Sequence, residues 1–365
     1  MGTENNQYLP PIAFHPGEIL REKLEELGMG MKEFAVRSSK PEKTIHAIMN
    51  STSSITPEMA VLFENVLKIP AHFWLNMQRS FDEFCARKEH EELLAESTEW
   101  ALKFPIADMV RKGWLPAKSS ITDKTQELLA YFSISNPKAW EDYYINQKLK
   151  VAFRISLAHT NEPHAISAWL RRGELQAALL PSNPYSEKNF KDVLPKIKNI
   201  MITHPDDYFK QLQETCLESG VKVVFTPCIK KAPLNGSTRW LNDTPLIQLT
   251  GRGNRNDTFW FTFFHEVGHI LLHGKKDIFL ENPEYSEQDQ EKENAADIFA
   301  ISHTFPEGNL MEMAQNGRFE MSDIKESAKK FNTHPALIVG RLQREKLIPF
   351  SFGKQFFVPL NLEQE

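Results

Sequence analysis

Two histidines one helical turn apart, with a glutamate beside the first, are the residues of this chain best placed to do chemistry: His265-Glu266-Val267-Gly268-His269. On a helix, positions i and i+4 project from one face, so two imidazoles can bind one zinc ion. Glu266, next to the first ligand, can reach a water on the metal and act as general base for peptide hydrolysis. Zinc brings the pKa of such a water down toward about 7, so hydroxide is available near neutral pH. Three protein ligands leave one tetrahedral position open. The best third candidate is Glu293, at the start of Glu293-Asn294-Ala295-Ala296-Asp297-Ile298-Phe299-Ala300. Asp297, one turn on, can accept from the free ring nitrogen of a ligand histidine and fix its tautomer. His273 is read as capping the helix end before Gly274 rather than as a further ligand. Cys228 is a candidate redox switch: its thiolate could fill the position the water needs until oxidation removes it. The competing reading of Cys228 is a small buried hydrophobe.

These side chains need a buried helix and a second helix beside it. Phe259, Trp260, Phe261, Phe264, Ile270 and Leu271 make the segment from about Asn256 apolar on nearly every side, so its charged residues need a reason to be there. Val221–Phe225 and Pro245–Thr250 are short apolar or β-branched runs that read as strands, with a turn signal at Asn235-Gly236-Ser237 between them. The stretch before them is mostly helical, and its Trp114, Trp140 and Trp169 read as core.

The residues Trp240, Pro245–Thr250, Phe259–His273 and Glu293–Ala300 resemble the ImmA/IrrE family of metallopeptidases, over roughly residues 205–345. The resemblance implies a zincin-like domain that cleaves a repressor or antitoxin protein, with His265, His269 and Glu293 as zinc (Zn2+) ligands and Glu266 as catalytic base. One departure is visible. The family's Glu-x-Glu-Ala-Asn pattern has Ala295 at its second acidic position and Asp297 in place of its Asn; the ligand aligns with Glu293.

The N-terminal part is punctuated differently. Ile19, Leu20, Leu24 and Leu27 recur at helical spacing and stop at Gly28; Thr56-Pro57-Glu58 has the cap and first-turn proline of a helix start. Five short helices are expected between Phe14 and Phe84. Phe14–Leu20, Lys43–Asn50, Ile55–Ala60 and Phe73–Gln78 resemble HigA-like antitoxins of the XRE helix-turn-helix family, over residues 12–85. The resemblance implies operator DNA as partner, with Lys43, Thr44 and His46 near base edges and Asn50 near phosphate. Near the C-terminus, residues 323–332 and 333–343 read as a second helix pair that caps the peptidase, with Ile324, Ala328, Leu337 and Leu342 as core.

The expected fold is mainly α with a small β-sheet (α+β): tail 1–11, helix-turn-helix bundle 12–85, helical middle region 86–204, metallopeptidase domain 205–345 and C-terminal tail 346–365. A net charge of −5 argues against a chain that coats nucleic acid, so any DNA contact is local. Three widely spaced cysteines and the lack of a long apolar run point to a cytoplasmic protein with no membrane span. We expect a homodimer. The leading reading is a DNA-binding regulator with zinc endopeptidase activity. The alternative is a non-enzymatic HigA-like antitoxin or regulator whose metal site is inactive or structural, and Glu266 favours the enzyme, because a closed structural site needs no base.

Overall fold

The computed structural model describes residues 12–145, 162–181, 183–273, 279–280, 287–315, 319–360 and 362. The expected tail 1–11 lies outside them. The chain divides into two compact units, Met1–Glu96 and Ser97–Glu365.

The first unit holds α1 (Pro16–Glu26), α2 (Met31–Arg37), α3 (Glu42–Met49), α4 (Pro57–Leu67) and α5 (Ala71–Glu96). The caps do what the sequence suggests: Thr56 accepts from the Met59 amide, and Pro57 occupies the first turn where no donor is missed. The apolar repeats converge on one core, with Leu20, Phe34, Ile45, Ile48, Phe63 and Trp74 fully buried. Helix α5 runs past the expected end near residue 85. Residues 83–96 are rich in Glu, Lys, Arg, Ala and Leu and contain no glycine or proline, so nothing stops the helix, and Arg87 pairs with Glu83 one turn back.

The second unit opens with α6 (Thr98–Ala101), α7 (Ile106–Arg111), α8 (Ile121–Phe132) and α9 (Pro137–Trp140). After them come α10 (Pro163–Ala178), α11 (Glu187–Thr203) and α12 (Tyr208–Leu217). Four strands follow in part: β1 (Lys222–Phe225), β2 (Gly236–Leu241) and β3 (Thr244–Leu249), then α13 (Asn256–His273), β4 (Phe279–Leu280) and α14 (Glu287–Thr304). The last helices are α15 (Glu307–Gln315), α16 (Met321–Lys330) and α17 (Pro335–Arg344). Sheet order is β1-β3-β2-β4, with β1 and β3 parallel and the other pairs antiparallel.

The sheet is covered on both faces, as period-two alternation requires when both faces are apolar. On one face Val223, Ile247 and Leu249 join the core around α13. On the other, Val224 and Leu246 pack with Ala177 of α10, and the Trp169 indole N–H donates to the Thr226 carbonyl at 3.0 Å. Trp114, Trp140 and Trp169 are all buried. The stretch read as a middle region therefore supplies a layer of the same unit that carries α13. Much of the stretch read as a C-terminal tail packs as well: Leu362 is buried in the core around α13, and the Val358 amide donates to the Asn256 side chain at 3.1 Å.

The turn expected at Asn235-Gly236-Ser237 is the start of strand β2. The hairpin to β3 turns instead through Asn242-Asp243, where Asn242 takes the left-handed conformation at φ 58°. Asparagine tolerates that region, which explains the turn. Gly236 answers to a different need.

Candidate metal centre

Helix α13 buries Phe259, Trp260, Phe263, Phe264, Val267 and Ile270, and the same burial encloses His265, Glu266 and His269. Fully buried Ala296 and Ala300 give α14 a small-residue face, which lets it come close to α13 and bring Glu293 and Asp297 alongside. The result is a convergence of donor atoms. His265 Nε2 and His269 Nε2 lie 3.0 Å apart; Glu293 Oε2 is 3.2 Å from the former and Oε1 is 3.3 Å from the latter. One ligand atom from each of these three residues falls within 4.8 Å of the others, the separation that could hold a metal ion.

The tautomer follows from chemistry. Asp297 Oδ1 lies 2.9 Å from His265 Nδ1, and an ionised carboxylate can only accept, so Nδ1 carries the proton. A neutral His265 then turns its Nε2 lone pair into the same point as His269 and Glu293. Burial disfavours a charged His265, but hydrogen bonds with Asp297 and Glu293 and the charges of Glu266 and Glu293 outweigh it and hold its pKa well above the usual imidazole range. Burial is also the main influence on His269, and there it wins, pushing the pKa down. Glu293 is held low despite burial, by its hydrogen bonds to both histidines. Three donors facing one point suit a cation between them. The donor set, two imidazoles and a carboxylate with the outer nitrogen of one imidazole held by a second carboxylate, fits zinc.

Strand β2 supports Glu266 from behind. The Thr238 hydroxyl donates to the Glu266 carbonyl at 3.0 Å. Gly236 lies against its carboxylate: a Cβ there would fall 2.7 Å from Oε1 and 2.7 Å from Thr262 Cγ2, closer than atoms approach. A cleft of about 590 Å3 opens between α13, α14 and α17, lined by Thr262, His265, Glu293, Asp297, Arg344 and Phe350 among others. Glu266 and His269 are not part of that lining.

His273 stands in the last turn of α13. It points at α14, with Nε2 3.0 Å from the Lys292 carbonyl, because the side of α13 that carries His265 and His269 also faces α14 one turn later. Gly274 lies outside the described residues. Cys228 is not among the converging donors; its thiol is directed at the Leu234 carbonyl at 3.8 Å. In the first unit, α3 buries Ile45 and Ile48 and leaves Lys43, His46 and Asn50 exposed, with Thr44 partly so. Asn50 Nδ2 lies 3.1 Å from His46 Nε2, so these two side chains lie together at the end of the helix. Thr238 and Arg344 carry no signal in the sequence and Gly236 carries only that of a turn, since each acts through a neighbour distant in the chain.

Residues 216–342 match the model of the IrrE N-terminal-like domain, Peptidase_M78. The N-terminal part is similar to other proteins. It is 32% identical over 66 residues to the HTH-type transcriptional regulator YddM of Escherichia coli (strain K12), covering 18% of this chain and 70% of that protein. To virulence-associated protein A of Dichelobacter nodosus it is 36% identical over 69 residues, covering 18% and 68%. Among solved structures, an addiction module antidote protein of the HigA family from Coxiella burnetii is 32% identical, with 23% of this chain and 91% of that one covered at a TM-score of 0.22. The chain thus belongs to the HTH-type regulators through its N-terminal residues and carries an IrrE-like Peptidase_M78 domain over residues 216–342.

Proposed function

We propose that this protein is a zinc-dependent endopeptidase joined to an operator-binding module, and that it cleaves a repressor or antitoxin protein to control gene expression. The observation that carries the reading is the convergence of His265 Nε2, His269 Nε2 and the Glu293 carboxylate on one point, with Glu266 next in the chain and fully buried. His265, His269 and Glu293 would hold the ion, which when bound supplies Lewis acidity and an activated water. Glu266 takes the water's proton on a carboxylate oxygen and returns it to the leaving amine. Asp297 keeps His265 in the tautomer that offers Nε2. The buried β2 backbone behind Glu266 keeps bulk water from that side and limits the rotamers of the carboxylate.

The operator-binding half of the proposal rests on the likeness to an HTH-type transcriptional regulator and on α3, which presents Lys43, His46 and Asn50 outward from a packed bundle. We assign base contacts to Lys43, Thr44 and His46 and a phosphate contact to Asn50, in a homodimer.

Elemental analysis of the purified chain tests the centre: about one zinc per wild-type chain is expected, and none in His265→Ala. Glu266→Gln should keep its zinc and lose cleavage by about two to four orders of magnitude, because an amide cannot take the proton. A metal-free wild type, or a Glu266→Gln variant that cleaves at the wild-type rate, overturns the reading.

A further inference from the structure

Helix α17 approaches α13 more closely than a side chain would allow. A Cβ on Gly340 would fall 2.2 Å from Asp257 Oδ2 and 3.3 Å from Asp257 Cβ, so only glycine lets the two helices meet here without displacement. Asp257 is itself pinned, since both its oxygens accept from Arg255 at 2.9 and 2.7 Å, and Arg255 also donates to Gln343 of α17 at 3.2 Å. The contact therefore fixes α17 at Gly340. One turn later Arg344 reaches α14, where its Nη2 donates to Asp297 Oδ2 at 3.0 Å and its guanidinium lies 4.9 Å from the centre of the Phe261 ring. The other oxygen of Asp297 is the one that accepts from His265 Nδ1.

We infer that Arg344 is a positioning residue of the metal centre, acting through Asp297, and that α17 is the element that sets it. The inference rests on the zinc role proposed for His265. As an ion pair this contact contributes little to stability, because Arg344 is half exposed and Asp297 a third exposed. Its effect is on geometry. With one oxygen held by His265 alone, the Asp297 carboxylate could turn and exchange that contact for water. With both oxygens held, its plane is fixed, and with it the His265 ring. The planar guanidinium holds one carboxylate oxygen in a fixed direction, so the other stays aimed at His265 Nδ1 and the ring keeps its orientation. The C-terminal helix pair is thus more than a cover over the core.

Charge alone predicts the opposite sign. Removing a cation near a site for a dication should strengthen metal binding, whereas loss of positioning should weaken it. Outer partners of a metal-bound histidine typically govern about 10-fold to 100-fold of affinity. Zinc affinity of the full chain, measured by competition with a chromophoric chelator, is expected to fall about 10-fold in Arg344→Ala, with the melting temperature nearly unchanged. Arg344→Lys keeps the charge but not the planar donor and should recover part of the loss. Gly340→Ala should weaken zinc binding in the same direction by displacing α17. Asp297→Ala should be at least as weak as Arg344→Ala, and the double variant no weaker than Asp297→Ala, the non-additivity of residues acting in series. Unchanged or tighter binding in Arg344→Ala overturns the inference, as does an equal loss in the Asp297→Ala background. A wild type that takes up no zinc overturns the metal centre instead, so the two failures are distinguishable.

Discussion

Gly236→Ala is the most informative single change at the candidate centre, because it adds one methyl group directly behind the proposed base. The new Cβ would stand 2.7 Å from Glu266 Oε1, 2.7 Å from Thr262 Cγ2 and 3.2 Å from Glu266 Cγ. Ordinary contact begins near 3.4 Å, so β2 and α13 must part by about 0.7 Å or the Glu266 side chain must turn. Neither is easy. Glu266 and Thr262 are buried, and Thr238 ties β2 to the Glu266 backbone on the next inward-facing position. Overpacking of this kind costs about 1–3 kcal/mol, a fall of roughly 2–10 °C in melting temperature for a unit of this size. The catalytic effect should be larger in proportion: displacing a reacting group by about 1 Å can cost about 100-fold, so a loss of tens-fold in turnover is expected. The three proposed metal ligands are untouched, so zinc content should stay near one per chain. Calorimetry, elemental analysis and cleavage of a quenched fluorescent peptide library by the zinc-loaded protein read the three quantities. Gly308→Ala, where the added methyl meets nothing within 4 Å, is the control. A Gly236→Ala protein with wild-type melting and wild-type cleavage would refute the close-approach argument; loss of zinc together with activity would move the effect from Glu266 to the ligands.

Glu293→Ala should reduce zinc to trace levels while the fold persists, since Glu293 supplies the only carboxylate of the converging set; unchanged metal content would reassign the third ligand. The second unit should weaken in acid. Burial is the main cause holding His204 and His164 down to about 4, against about 6.5 in an unfolded chain, and His204 Nδ1 accepts from the Trp260 indole at 3.1 Å. Above pH 6.5 both states are neutral. As the pH falls from 6.5 toward 4 the unfolded chain takes up protons that the folded one refuses, so the melting temperature should drop, and less steeply in His204→Asn. A flat melting curve over that window would contradict the burial argument. For the first unit, selection over random duplexes with the full chain should enrich a motif, and Lys43→Ala should weaken it. Failure to enrich any motif favours a protein-docking role for α3.

The pattern of what the sequence discloses follows from how far apart the cooperating residues lie. His265 and His269, or Glu293 and Asp297, are one turn apart on a single helix, so helical geometry alone puts each pair on one face. Pairing one helix with the other needed only the chemistry of the side chains: two imidazoles lack a third ligand, and a carboxylate one turn beyond the candidate suits the outer ring nitrogen. The helix starts of the first unit were legible for the same reason, because caps such as Thr56 act on their own next turn. Strand β2 failed that test twice. Its glycine gave the signal of a turn, although glycine marks close approach as readily as a reversal, and only the position of Glu266 tells which. Its arginine carries no local sign of burial, yet Arg239 is fully buried because Glu174 and the Leu170 carbonyl of α10 meet its guanidinium from far earlier in the chain. Arg344 is the same case at the site itself. A basic residue in the last turn of a helix is ordinarily read as a complement to the helix dipole, and nothing local distinguishes it from one. Its second role exists only once Gly340 has brought α17 against α13 and Asp297 lies within reach. Residues that supply chemistry are thus visible in the sequence, whereas those that aim them become visible only in three dimensions.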